Sequence, residues 1–178
     1  MNKEFLIVAI TRPDFFEGES GKISQILENN EAMYVHIRKP EATINEIEKL
    51  LREIPCHLHD RLKLHDGFEL CEKYNIGGIH LNSRNSTIPR KNLRLSKSIH
   101  SIEELGNCKN IDYCFLSPIF DSISKKGYLG RFDLNEISDK ILGKKVVALG
   151  GVTPDKFDIL RNHNFYGAAL LSHFFPTE

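Results

Sequence analysis

Eight short apolar segments recur along the chain, separated by stretches with helical periodicity or turn composition. Each segment is three to nine residues long and rich in apolar side chains, a pattern of strands buried on both faces. Strict alternation of strand and helix predicts a parallel α/β fold, and eight strands favour a closed (β/α)8 TIM barrel. A doubly wound open sheet is the alternative. The predicted strands are 5–11, 32–38, 61–66, 79–81, 93–99, 112–120, 146–149 and 166–171.

Two intervening segments predict amphipathic helices. Apolar residues recur at helical spacing over 43–54, with Thr43 as the expected N-cap, and again over 134–142. The other helices should be short, and the segment 82–92 is polar and contains proline. Ser101 and Glu104 have the spacing of a capping box, which predicts a helix over 101–105.

The chain is short for such a barrel. Its 178 residues fall below the roughly 200 given as the lower end of the class. The sequence reaches only a few residues past the eighth strand, so we expect one domain, 1–178, without an eighth helix. Apolar barrel surface beside the first and last strands would then be uncovered, which predicts a homodimer.

Charge excludes several partner classes. The sequence has 24 Lys and Arg against 24 Asp and Glu, so nothing in it favours nucleic acid or a membrane surface. No apolar run approaches the ~20 residues of a membrane span, and the charged first 20 residues do not resemble a signal peptide. We therefore expect a cytoplasmic protein. The four cysteines form no C-x-x-C pair, which indicates free thiols.

Polar residues gather at the predicted carboxyl ends of the strands. In a (β/α)8 barrel these ends form one rim that carries the chemistry. Several histidines, two arginines and an aspartate on one rim are difficult to explain as core packing. The rim set is Arg12, His36, Arg38, His65, Asp66, His80, Ser98, His100, Ser117, Gly150, Gly151 and Ser172.

Two segments predict a phosphate site. The Gly150-Gly151 turn joins the seventh strand to a helix, and small residues end the eighth strand before Leu171 and Ser172. Backbone N–H groups at these two places form the usual phosphate site of the barrel. The loop after the sixth strand adds hydroxyl and ammonium donors with Ser122, Ser124 and Lys125. A solvated lysine-rich loop is the alternative there.

His100 and Asp66 are the candidate reactive groups. An imidazole over the barrel mouth could act as a general acid or base, or could simply hydrogen-bond its own loop. Asp66 could bind a metal or orient a base. A single carboxylate is a poor magnesium site unless the phosphates of a substrate supply further oxygens.

Seven short motifs follow one another between residues 32 and 172. They are YVHIRK (34–39), LHD (64–66), GGIHL (77–81), SIHSIEEL (98–105), DYCFLSPIF (112–120) with SISKKG (122–127), VVALGGVTPD (146–155) and GAALLS (167–172). In this order and spacing the chain resembles the thiamin phosphate synthase and TenI family. The resemblance implies a phosphate-binding barrel of thiamin biosynthesis.

The two branches of that family imply different chemistry. The synthase joins hydroxymethylpyrimidine diphosphate to a thiazole phosphate using Mg²⁺, and the TenI branch is associated with a cofactor-free tautomerisation of a thiazole phosphate carboxylate. On the synthase pattern, Arg38 falls on a motif arginine, Asp66 on the first magnesium ligand, and Ser122, Ser124 and Lys125 on the pyrophosphate loop. His36 and His65 replace the glutamine and asparagine of that pattern, and the segment 82–85 lacks the second acidic ligand.

The tautomerase is favoured because the second carboxylate is missing and because the position of His100 matches the catalytic histidine of the TenI pattern. In that reading the catalytic set is His100, Arg38 and His36. The synthase with Mg²⁺ on Asp66 is the first alternative, and a non-catalytic protein that binds a thiamin precursor is the second. The phosphate-binding set would be Gly150, Gly151, Leu171, Ser172, Ser122, Ser124, Lys125 and Ser98.

Overall fold

Eight parallel strands close into a barrel in a computed structural model that describes residues 5–82, 85–89, 92–121 and 129–176. Each strand pairs with the next, and β1 pairs with β8 through Val8 and Ala169, which closes the ring. The predicted (β/α)8 fold is therefore confirmed. The strands are β1 Leu6–Ile10, β2 Tyr34–Ile37, β3 Leu62–Leu64, β4 Gly78–Leu81, β5 Arg94–Ile99, β6 Tyr113–Leu116, β7 Val146–Ala148 and β8 Gly167–Leu170.

The described residues form five short α-helices, and the strongest sequence pattern forms the best-capped one. In α2 the Thr43 hydroxyl accepts from Glu46 N and the Glu46 carboxylate accepts from Thr43 N, so the predicted cap is a full capping box. Short 3-10 helices supplement the α-helices at Cys56–Arg61, Glu103–Asn107 and Pro154–Lys156. The helices are α1 Glu19–Glu28, α2 Ile44–Glu53, α3 Leu70–Lys73, α4 Leu134–Ile141 and α5 Phe157–Asn162. None of the helices in the described ranges is long and apolar enough to cross a membrane.

The capping box predicted at Ser101 and Glu104 is wrong. The segment after β5 is a 3-10 helix, Glu103–Asn107, and the residue preceding it caps nothing with its side chain. The Glu104 carboxylate accepts instead from the backbone N–H of His100, at 3.0 Å. The acidic residue therefore braces the loop that carries His100 at the end of β5.

The predicted uncovered surface beside β1 and β8 is also wrong. Ala9, Ala168 and Leu170 are at most 1% exposed. A turn over 171–175 follows β8, and its Phe174 and Phe175 are buried in the outer core. This turn covers the strands although no helix follows β8 in the described chain, so the homodimer stays a prediction without that support.

The barrel interior is apolar on one side and polar on the other. One cluster of buried residues from β1, β6, β7 and β8 contains Val8, Ile10, Phe115, Val147 and Ala169. The facing strands β2 to β5 instead bury polar side chains. This second set, His36, Lys63, His65, His80 and Ser96, is at most 6% exposed. Because burying unpaired polar groups is costly, the polar side is where a function should be sought.

Candidate active site

A cavity of about 710 Å³ opens at the carboxyl ends of β2 to β5. It brings together five of the residues predicted from sequence: Arg38, His65, His80, Ser98 and His100. The rest of its described lining is Ile10, Leu81, Asn82, Ser86, Lys97, Glu104, Phe115 and Leu149. The predicted rim therefore exists, and it is rich in imidazole and cationic side chains.

Side-chain amides of the loop after β4 hold the end of β3. Asn82 Nδ2 donates to the backbone carbonyl of His65 at 2.8 Å, and Asn85 Nδ2 donates to Asp66 Oδ1 at 2.9 Å. The Thr11 hydroxyl similarly accepts from Arg38 N at 2.9 Å, which joins the ends of β1 and β2. These bonds position His65, Asp66 and Arg38 at the mouth.

Three imidazoles, which we call the histidine cluster, lie under this mouth: His36, His65 and His80. His36 Nδ1 lies 2.8 Å from His65 Nε2, and its Nε2 lies 2.6 Å from the Tyr113 hydroxyl. A neutral imidazole carries a single N–H, so His36 donates along one of these contacts and accepts along the other. His80 is held between two hydroxyls, with Nδ1 3.0 Å from Ser96 Oγ and Nε2 2.9 Å from Ser98 Oγ.

Burial keeps two members of the cluster neutral. Desolvation, with smaller contributions from the charges of His80 and Lys63, lowers the pKa of His36 well below its usual 6.5. Burial, together with the cations Lys63 and Arg38, lowers the pKa of His80 to about 3. Both side chains therefore present a ring nitrogen lone pair at neutral pH. His36 is fully buried and lies beneath the cavity lining, so it can reach a ligand in the cavity only through His65 or His80.

Lys63 lies deeper in the barrel and is fully buried. Its Nζ has no hydrogen-bond partner among the described residues and lies 4.6 Å from the ring centroid of Tyr113 and 5.3 Å from that of Tyr34. Burial lowers the pKa of Lys63 to about 7, while Asp112 opposes and Arg94 adds to the shift. Two aromatic rings lie where water would solvate this ammonium, and they compensate only part of its lost hydration, so the charged form is costly.

Stability should consequently rise with pH because of Lys63. The pKa of this amine is 10.5 ordinarily and about 7 in the fold. Between those two pH values the unfolded chain binds more protons than the folded one, so each pH unit adds up to ~1.4 kcal/mol to the free energy of unfolding. Chemical denaturation in the presence of a metal chelator should show that the free energy of unfolding increases by about 2 kcal/mol from pH 7 to pH 9. Lys63→Met should lose this gain and be more stable than wild type at pH 7. Equal pH slopes in the two proteins would contradict the prediction.

His100 is exposed at the end of β5. Its Nδ1 lies 3.2 Å from the backbone carbonyl oxygen of Ser117, which can only accept, so Nδ1 carries the proton. Nε2 is then the basic nitrogen. The His100 side chain thus bonds its neighbouring loop and also lines the cavity, and its role as a general acid or base stays a prediction.

The predicted phosphate residues that follow β7 and β8 are not among those that line this cavity. Gly150 and Gly151 adopt φ of 92° and 62°, a conformation that favours glycine. They follow the cavity residue Leu149, but neither they nor Leu171 and Ser172 belong to the described lining. Ser98 binds His80. The predicted residues Ser122, Ser124 and Lys125 lie outside the described residues.

Sequence reasoning missed the lower part of the polar interior, namely Lys63, Ser96 and Tyr113. The available signal was strand periodicity, because Lys63 and His65 share one face of β3, and Ser96 and Ser98 share one face of β5. A period-2 reading of each strand places these side chains in line with the rim residues. Which side chains they contact across the barrel depends on how the eight strands are aligned when the barrel closes.

The fold and the mouth define the protein as a (β/α)8 barrel with a polar, imidazole-rich site at the carboxyl ends of its strands. The model of the thiamine monophosphate synthase (TMP-TENI) family matches residues 7–174. The chain therefore belongs to this family, as the sequence motifs predicted, and its broad role is in thiamin biosynthesis.

Individual relatives agree with this assignment. A thiamine phosphate pyrophosphorylase from Bacteroides thetaiotaomicron has a TM-score of 0.80 and 34% identity, over 94% of this chain and 83% of that one. The putative thiamine-phosphate synthase 2 of Aquifex aeolicus is 28% identical over 94% of this chain and 96% of its own. A thiamine phosphate pyrophosphorylase from Pyrococcus furiosus, at 18% identity and TM-score 0.78 over 99% of this chain and 90% of that one, shares the fold.

Proposed function

We propose that this chain catalyses the synthase reaction, joining hydroxymethylpyrimidine diphosphate to thiazole phosphate with release of pyrophosphate. The similarity to proteins named thiamine-phosphate synthase or pyrophosphorylase over nearly the whole chain supports this choice over the tautomerase that the sequence alone favoured. The observation that carries it is the mouth cavity of about 710 Å³, large enough for two small substrates and lined by Arg38, Lys97 and hydrogen-bond donors.

The residues divide between the two charged groups that such a reaction must hold. Arg38 at the end of β2 lies in the cavity wall and offers a planar guanidinium to a phosphate. The Gly150-Gly151 turn, with Leu171 and Ser172, would bind the thiazole phosphate through backbone N–H groups. Ser122, Ser124 and Lys125 would hold the pyrophosphate. Excluding water from the cavity would strengthen each of these charge interactions.

The described residues offer Mg²⁺ the smallest workable set of protein donors, a single carboxylate. Asp66 supplies one carboxylate at the mouth, and Asn85 holds one of its oxygens by a 2.9 Å hydrogen bond. Magnesium sites commonly use one or two carboxylates with the phosphates of the substrate, so the diphosphate would have to provide the remaining oxygens. When bound there, the ion would neutralise charge on the departing pyrophosphate.

His100 favours tautomerisation as a second candidate function. Its exposed imidazole lines the cavity with a basic Nε2, oriented through Nδ1 by the Ser117 carbonyl and through its backbone N–H by Glu104. These are the features of a general base that moves a ring proton. This reaction needs a phosphate-binding site and one proton carrier, and it needs no cofactor.

One assay separates these functions. The purified chain is supplied with both precursors and Mg²⁺, and pyrophosphate release is followed alongside conversion of the thiazole isomer. The synthase proposal predicts pyrophosphate release that falls about 100-fold in Arg38→Ala and less than tenfold in His100→Ala. Lys140→Ala on the exposed face of α4 is the control cation variant.

The opposite pattern would establish the tautomerase. Isomer conversion without pyrophosphate, abolished by His100→Ala while calorimetry still detects the thiazole phosphate, would overturn the synthase proposal. Binding of phosphate ligands with turnover of neither substrate set would identify the chain as a non-catalytic binding protein. A homodimer would be detected by light scattering on the same preparation.

A further inference from the structure

We propose that the histidine cluster is a binding site for a divalent transition-metal ion, distinct from the magnesium position at Asp66. His36, His65 and His80 come from the adjacent strands β2, β3 and β4. Each offers one ring nitrogen, and the three nitrogens lie within 4.8 Å of one another. Three imidazoles on one side of an ion, with the remaining position open, are the ligand set of several catalytic zinc sites.

The surroundings supply the outer contacts that metal-binding histidines usually have. The Tyr113 hydroxyl holds His36 Nε2 at 2.6 Å, which leaves Nδ1 for an ion. Ser96 Oγ holds His80 Nδ1 at 3.0 Å, so Nε2 is the nitrogen that would exchange its 2.9 Å contact with Ser98 Oγ for the ion. Hydrogen bonds to the second ring nitrogen fix the tautomer and the orientation of a ligand histidine. The second ring nitrogens of His36 and His80 are therefore already anchored by hydroxyl groups.

The open position faces the mouth. His65 and His80 line the cavity of about 710 Å³, while His36 lies below it. An ion held by the three rings would be reached by water or by a substrate oxygen from the cavity. In catalytic zinc sites, three protein ligands leave the fourth position open to water or substrate.

Binding requires a defined rearrangement. Tetrahedral ligand nitrogens at 2.0–2.1 Å from zinc are roughly 3.4 Å apart, whereas His36 Nδ1 and His65 Nε2 are 2.8 Å apart. The rings of His65 and His80 are stacked, with centroids 4.2 Å apart and planes inclined by 15°. One of them must turn so that both nitrogens point at one ion. The cavity beside these two rings provides the space for that turn.

The charge near the cluster selects the kind of ion. Lys63 and Arg38 are cations close enough to lower the pKa of His80, so an acidic field does not attract the metal. Affinity must come from the bonds to nitrogen. Imidazole suits Zn²⁺, Co²⁺, Ni²⁺ and Cu²⁺, whereas Mg²⁺ prefers oxygen.

Cobalt provides the test, because its visible spectrum reports coordination. Metal-free protein titrated with CoCl₂ alone at pH 8 should develop, at one equivalent, the intense d–d bands of a four- or five-coordinate ion. ZnCl₂ should abolish the bands, and millimolar MgCl₂ should leave them unchanged. His80→Gln and His65→Gln should each weaken Co²⁺ affinity at least 100-fold, and Tyr113→Phe about tenfold through the lost contact to His36.

The matched control is His57→Gln, which removes a histidine whose side chain is 67% exposed. It should leave the Co²⁺ spectrum unchanged. Wild-type protein that shows only the weak spectrum of the octahedral aqua ion would overturn the proposal, and this result needs no variant to be folded. Equal losses in His57→Gln and His80→Gln would also overturn it, since surface histidines would then account for the binding.

Discussion

Replacing Lys39 with methionine should cost about 3–5 kcal/mol of unfolding free energy, because it strands the Glu19 carboxylate inside the protein. Lys39 is fully buried and Glu19 is 2% exposed. The ammonium donates to both oxygens of Glu19, at 2.7 and 2.8 Å, and to the carbonyl of Asp14 at 2.6 Å. Burial raises the pKa of Glu19 and lowers the pKa of Lys39, so each charge depends on the other to offset its lost hydration.

Urea denaturation of three variants would check this prediction. Lys73→Met breaks an ion pair with Glu48 in which the lysine side chain is 59% exposed, and it should cost less than about 1 kcal/mol. The double variant Glu19→Gln, Lys39→Met removes both charges and should recover part of the loss. If Lys39→Met were as mild as Lys73→Met, the buried pair would contribute little.

This ion pair also shapes the mouth. Lys39 follows Arg38 at the end of β2, and Glu19 is the first residue of α1. The pair therefore ties the β1–α1 connection to the strand that presents Arg38. Loss of Lys39 should weaken ligand binding at Arg38 as well as global stability.

Gly151→Ala should be strongly destabilising and should also weaken phosphate binding at least tenfold, if the glycine turn binds the phosphate as proposed. Gly151 has φ of 62°, and a Cβ there would lie 2.2 Å from the backbone oxygen of Asp121. A left-handed φ costs a non-glycine residue ~1–2 kcal/mol. The overlap with a backbone oxygen adds to that cost, so we expect a total of about 3 kcal/mol or more, together with displacement of the turn.

Gly143 offers a matched control for that experiment. It also has a positive φ, 74°, but a Cβ there would meet no atom of the described residues within 4 Å. Gly143→Ala should cost only the conformational strain of about 1 kcal/mol and leave affinity for thiazole phosphate unchanged. Calorimetry on folded samples separates the two effects. Unchanged phosphate affinity in Gly151→Ala would place the phosphate elsewhere on the rim.

Local patterns predicted the local features well. The Thr43 cap and the apolar period of α2 were readable because both depend on residues within one or two helical turns. The capping box at Ser101 failed for the opposite reason. The Glu104 carboxylate accepts from the backbone N–H of His100, and sequence spacing alone does not show which N–H donor will take this acceptor.

The sequence by itself determined the barrel, the rim of polar residues at its strand ends and the family motifs, because strand alternation and residue order are properties of the chain. Only the tertiary structure decided which polar groups meet. His36 and Tyr113 are 77 positions apart and still lie 2.6 Å from each other, since barrel closure sets the register between strands. The same closure buried Lys63 and assembled the histidine cluster. Desolvation, which sets the charge states of these groups, exists only once the barrel has formed.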